Sequence, residues 1–110
     1  MSVNLTTEVV DNKSFFLDAL PEQIAQALEA IGLAAEGYAK DDCPVDTGRL
    51  RASISHARDD NAAYIGTNVE YAAFVELGTS RMKARPYLRP AAENHLEEYK
   101  SLTEMALKGG

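Results

Sequence analysis

Cys43-Pro44-Val45-Asp46-Thr47-Gly48-Arg49-Leu50-Arg51-Ala52-Ser53-Ile54 decides the fold. It either ends an apolar strand with a carboxylate at its tip or turns the chain from a helix into a strand. The residues favour the turn. Pro44 disfavours helix at Cys43 and is ill suited to a central strand. Asp46 accepts hydrogen bonds from the amides of its own turn, and Gly48 takes a positive φ that other residues resist. Asp46-Thr47-Gly48 is therefore read as a structural turn. Beyond it Leu50, Ala52 and Ile54 face one way and Arg51, Ser53 and Ser55 the other, the period of a strand.

Upstream, Pro21 suits the first position of a long helix. Ile24, Ala27, Leu28, Ile31, Ala34, Ala35 and Tyr38 recur at helical spacing and form one apolar stripe. Gly32 and Gly37 each weaken that helix by up to about 1 kcal/mol relative to alanine, so both are expected to mark close packing contacts. Asp41 and Asp42 oppose the dipole at the helix end. A basic partner, from Arg49, Arg51 or a neighbouring subunit, would relieve them; simple exposure to water is the other reading. A short helical turn at Ser14 to Leu20 and a first strand through Val3, Leu5 and Val9 precede the helix. Downstream, Asp59-Asp60-Asn61 is a turn and Ala62 to Thr67 a returning strand. Thr67 and Glu70 have the spacing of a capping box. Tyr71, Phe74 and Val75 share a face of a short helix that Gly78 ends. After the polar loop Thr79 to Arg85, Tyr87, Leu88, Ala91, His95, Leu96, Tyr99 and Leu102 outline one C-terminal helix. The whole predicts a single α+β domain over residues 1–110, a small antiparallel sheet packed against a long N-terminal helix and a C-terminal helix.

Catalytic readings are weaker. Asp-Thr-Gly is also the tripeptide of aspartic proteases, and a dimeric protease using Asp46 would bring two such carboxylates together to share one proton. Here a helix rather than an apolar strand precedes it, Arg49 stands where those enzymes carry a small residue, and no glycine-rich flap follows. Cys43, His56 and His95 lack metal-ligand spacing, and nothing specific supports a Cys–His nucleophile pair. No phosphate-cradling glycine loop is present. The expectation is a protein without enzymatic activity, metal or cofactor.

The single cysteine excludes an intramolecular disulfide and fits a reducing compartment. No apolar run is long enough to span a membrane, and the first ten residues lack the regions of a secretory signal, which points to synthesis in the cytoplasm. The net charge of −6 is unevenly spread: −7 over residues 1–48, +3 over 49–90 and −2 over 91–110, counted along the sequence. An acidic chain with a basic middle complements a copy of itself or a partner of mixed charge, unless these are only solvated charges. It is a poor footprint for nucleic acid; a DNA-binding adaptor using Arg81, Lys83 and Arg85 would have to overcome acidic repulsion.

Three blocks together resemble the small head–tail joining proteins (neck or tail components) of long-tailed bacteriophages and prophages. They are Pro44 to Ile54, then Tyr71-Ala72-Ala73-Phe74-Val75-Glu76-Leu77-Gly78-Thr79, then Ala84-Arg85-Pro86-Tyr87-Leu88-Arg89-Pro90-Ala91. The resemblance implies a structural virion protein at the head–tail region, made in the bacterial host cytoplasm. It would form rings of six or twelve copies between head-connector and tail proteins, near DNA but without specific contact to it. A minor tail component is the alternative. A ring built from one repeated contact needs two different, complementary surfaces on each subunit. The loop Thr79, Ser80, Arg81, Met82, Lys83, Ala84 and Arg85, polar and basic, is expected to be a contact arm, mobile in the free subunit and ordered on assembly, or else an ordinary exposed loop. Glu76 and Arg85 are expected to close its base by a salt bridge, and Arg49 and Arg51 to join the interface.

Overall fold

A computed structural model describes residues 5–11, 19–44 and 48–108. The expected turn residues Asp46 and Thr47, the segment 14–18 and Val3 lie outside the described residues. Strand β1 (Leu5–Asp11) is followed by helix α1 (Pro21–Asp42), the short helix α2 (Arg49–Ser53), strands β2 (Ser55–Arg58) and β3 (Ala62–Thr67), and helices α3 (Ala72–Leu77), α4 (Leu88–Glu93) and α5 (Leu96–Lys108). The strands form one antiparallel sheet in the order β1-β3-β2. This is an α+β domain.

Helix α1 begins where Pro21 predicts, and Gln23 closes the turn by accepting from the Leu20 amide at 3.0 Å. It ends at Asp42, and Cys43 turns extended (φ −73°, ψ 134°) as the following proline requires. Ile24, Ala27, Leu28, Ile31, Ala35 and Ala39 are buried. They pack on Ala63 and Ile65 of β3 and on Val9 and Val10 of β1 within one core. Alternation would expose one of those two valines. A bulge between Glu8 and Val10 shifts the register against β3 and lets both reach the core. On its other side α1 runs against α5, tied by Gln23 Nε2 donating to the Leu107 carbonyl at 3.0 Å and by Tyr38 donating to Glu98 at 2.8 Å.

The strand expected from Leu50 is instead helical to Ser53. Gly48 enters in the left-handed region (φ 73°), its carbonyl accepts from the Ala52 amide, and the Ser53 hydroxyl folds back on the Leu50 carbonyl. Leu50 and Ile54 are both buried; an i, i+4 pair satisfies helix and strand periods alike. Ala52 discriminates, since a strand would bury it and here it is exposed. The single C-terminal helix is two, broken at Asn94 and His95 where His95 stacks on Tyr38 with ring centroids 3.5 Å apart. The capping box at Thr67 is not formed. The Thr67 hydroxyl accepts from the Val69 amide and pairs with the Ser53 hydroxyl, and α3 starts only at Ala72.

Of the two helical glycines, only Gly32 is a packing contact. A Cβ there would meet the His56 ring at 2.9 Å, whereas one on Gly37 meets nothing within 4 Å among the described residues. Gly37→Ala is therefore expected to raise stability by about 0.5–1 kcal/mol and Gly32→Ala to lower it. Urea unfolding of the two variants checks the opposite signs.

Candidate functional site

The three sequence blocks interlock at one corner of the domain. In α3 the buried positions are Ala72 and Glu76, one turn apart. The Glu76 carboxylate sits at the start of α4. Its Oε1 accepts from the amides of Tyr87 (3.0 Å) and Leu88 (2.8 Å), and its Oε2 from Arg89 (3.1 Å). An anion here meets the unpaired amides and the positive end of the helix together. Tyr87, fully buried, returns the link by donating its hydroxyl to the Ala72 carbonyl at 3.2 Å. Glutamate from the second block and tyrosine from the third thus bind each other's helices.

Between them the loop is compact. Gly78 ends α3 at φ 77°, ψ 175°, its amide on the Phe74 carbonyl at 2.8 Å. Thr79 and Met82 exchange backbone hydrogen bonds of 2.8 and 3.3 Å, and the Thr79 hydroxyl accepts from the amides of Arg81 and Met82. The Arg85 amide on the Val75 carbonyl, at 2.8 Å, closes the base. The expected arm is a folded turn, and Glu76, expected to bridge to Arg85, is committed to the amides of α4.

The first block joins through Arg49. Its guanidinium grips Glu70 with two bonds of 3.1 and 2.9 Å, which raise the Arg49 pKa, and lies 5.6 Å from the ring centroid of Tyr71. The Glu70 carboxyl is held below its ordinary value first by its own backbone amide and then by Arg49. Arg51 turns the other way, to Asp41 at the end of α1, at 3.9 Å and well exposed. That contact answers the expected relief of the helix dipole but is worth only about 0–1 kcal/mol. Glu76, Thr79, Arg81, Lys83 and Arg85 therefore share the corner, Arg49 braces it, and Arg51 is apart.

This frame presents an apolar surface that the sequence reading missed. Phe74 is 57% exposed, Leu77 73% and Met82 40%. Phe74 was expected on the buried face with Tyr71 and Val75, which are half-buried. The i, i+4 pair Ala72 and Glu76 takes that face because Glu76 must reach α4, and Phe74 is turned out. From Gly78 to Arg89 the chain carries four bases and no acid.

The other candidate groups are engaged structurally. The buried Cys43 thiol donates to the Pro44 carbonyl, and burial raises its pKa. His56 of β2 lies between two glutamates of α1, Nε2 at 2.6 Å from Glu29 and Nδ1 at 2.9 Å from Glu36. Two carboxylates take two N–H donors, so the imidazolium alone satisfies both. Arg58 approaches Glu29 at 3.7 Å and Lys40 approaches Glu36 at 3.3 Å. Burial opposes the charge on His56, but its bonds to Glu29 and Glu36 outweigh burial and lift the pKa above the ordinary 6.5. Burial also opposes ionisation of Glu36, yet His56 and Lys40 hold its carboxyl below the ordinary 4.5.

A raised folded pKa stabilises fully below the unfolded value, and the gain is lost as pH rises through the folded one. Glu36 contributes fully above 4.5 and loses its part as pH falls through its lowered value, so the clasp is strongest between 4.5 and 6.5. Thermal unfolding of wild type and His56→Gln is expected to show a stability gap that shrinks as pH rises above 6.5. A gap independent of pH would contradict the doubly bonded imidazolium.

Among the described residues no cluster of His, Cys, Asp or Glu is placed to hold a metal ion, and no helix is long and apolar enough to cross a membrane. The fold and corner define a small α+β domain whose interlocked blocks display an apolar, basic surface. A family model matches residues 8–78, from β1 to the glycine that ends α3: "Bacteriophage HK97-gp10, putative tail-component". The chain belongs to this family of structural phage tail components. The match covers the first block and the second as far as Gly78, and the third lies beyond its end. Searches of curated proteins and of solved structures returned no significant match.

Proposed function

We propose that the chain acts at the head–tail junction of the virion, as a ring of identical copies between head-connector and tail proteins. The observation that carries this reading is the α3–α4 corner. Phe74, Leu77 and Met82 stand out in solvent on a frame of buried hydrogen bonds. Water-exposed apolar groups held this firmly suit protein–protein contact. Arg81 and Lys83 beside them give the contact its charge selectivity. The bonds that shape the corner are structural in kind, which supports a role without catalysis. Asp46 follows a helix rather than the strand a protease half-site needs.

Gold-labelled antibody against the chain, applied to intact particles, tests the position: label confined to the head–tail joint is expected. The family's description as a tail component supports a second reading, a minor tail component, for which the label would lie along the tail or at its tip.

A further inference from the structure

The corner has a counterpart on the same chain. Helices α1 and α5 pack side by side and leave large apolar residues in solvent, Leu33 of α1 at 60% and Leu96 and Met105 of α5 at 49% and 67% exposure. Together the two helices carry eight acids against three bases, counted over Pro21–Asp42 and Leu96–Lys108. Glu22, Glu97 and Glu104 are exposed and make no ion pair among the described residues. Glu22 and Glu104 belong to the same end of the helix pair, where Gln23 bonds the Leu107 carbonyl. Gly37, one turn from Leu33, has open space where a side chain would stand. At the corner Arg81 and Lys83 are likewise exposed and in no ion pair among the described residues. The corner thus joins exposed apolar groups to cations in no ion pair among the described residues, and the length of the helix pair joins exposed apolar groups to such anions, with Lys100 and Lys108 interspersed.

We infer that the Phe74–Leu77–Met82 corner of one copy docks on the Leu33–Met105 face of the next, with Arg81 and Lys83 against Glu22, Glu97 and Glu104. A corner-to-corner pair would set cations against cations, and a face-to-face pair would set acids against acids. Only the unlike pairing satisfies both charge sets. It is head-to-tail, so each addition leaves one corner and one face open until a ring closes. The inference rests on the ring reading and names its two surfaces.

Two variants test it. One removes the corner contact (Leu77→Ser with Arg81→Ser), the other the helical face (Met105→Ser with Glu104→Ser). All four positions are exposed, and circular dichroism checks that both variants fold. In sedimentation velocity the wild type is expected to form closed oligomers. Each variant alone should lose self-association by about thirtyfold or more and run as a monomer. Mixed one to one, the intact corner of one variant meets the intact face of the other, and the pair should stop at a dimer. Variants that still assemble, or a mixture that stays monomeric, overturn the surface assignment and leave the ring standing. A wild type that is monomeric at every concentration overturns the ring reading and this inference with it.

Discussion

Glu76→Ala is expected to lower the stability of the folded chain by about 3 kcal/mol. The substitution removes an acceptor from three amides at once, those of Tyr87, Leu88 and Arg89, and opens space under α4. Those amides have no other intrahelical partner, because they stand at a helix start. Hydrogen bonds to a charged acceptor contribute about 1.5–3 kcal/mol each when buried, and partial rehydration of the opened site returns some of that. Glu76→Gln keeps one carbonyl oxygen but sets an N–H₂ group where the other oxygen stood, so a smaller loss of about 1–2 kcal/mol is expected. Urea midpoints at constant slope measure both. A loss below about 1 kcal/mol for the alanine variant would mean that Glu76 does not hold α4 in place.

Gly78→Ala is expected to cost about 2–4 kcal/mol. Its backbone, at φ 77° and ψ 175°, lies in a region that only glycine adopts without strain. A Cβ there would also stand 2.7 Å from the Ala84 amide nitrogen and 2.9 Å from the Met82 carbonyl oxygen. Both are backbone atoms of the compact loop, which cannot yield without opening the Thr79–Met82 bonds. Gly48 is the control. It too has a positive φ, 73°, but in the ordinary left-handed region and with no atom of the described residues within 4 Å of a built Cβ. Gly48→Ala should cost only about 1–2 kcal/mol. Equal losses at the two sites would show that the loop does not pack on Gly78 as described.

Helix α1 was legible because its boundaries and its face are both local. Pro21 starts it, Pro44 stops it, and the stripe from Ile24 through Ala35 to Tyr38 has no competing period. The turn at Asp59 was equally local: its carboxylate accepts from the Asn61 and Ala62 amides at 2.7 and 2.8 Å, which also lowers its pKa. Where the reading failed, the deciding contact was distant. Leu50 and Ile54 fit either period, and the distant contact in this segment is the Ser53 hydroxyl paired with that of Thr67 on β3. The apolar stripe from Tyr87 to Leu102 runs through the break at Asn94 without changing phase, so only the stacking of His95 on Tyr38 marks the place. Phe74 seemed a core residue until Glu76, two positions on, was needed elsewhere.

The corner itself was half legible. The second and third blocks pointed to the right segment, yet nothing in either says that a glutamate from one caps the helix of the other. The His56 clasp left a fainter trace. Glu29 and Glu36 stand seven residues apart on one face of α1 with Gly32 between them, room for a ring from another element.

Disruption of the gene in its phage or inducible prophage, with the lysate imaged by electron microscopy, tests the central claim most directly. The account predicts full heads lying beside separate tails of normal length, because a missing ring at the joint leaves both parts built and unjoined. Intact infectious particles would contradict it, and heads accompanied by absent or abnormally long tails would move the protein from the junction into tail building.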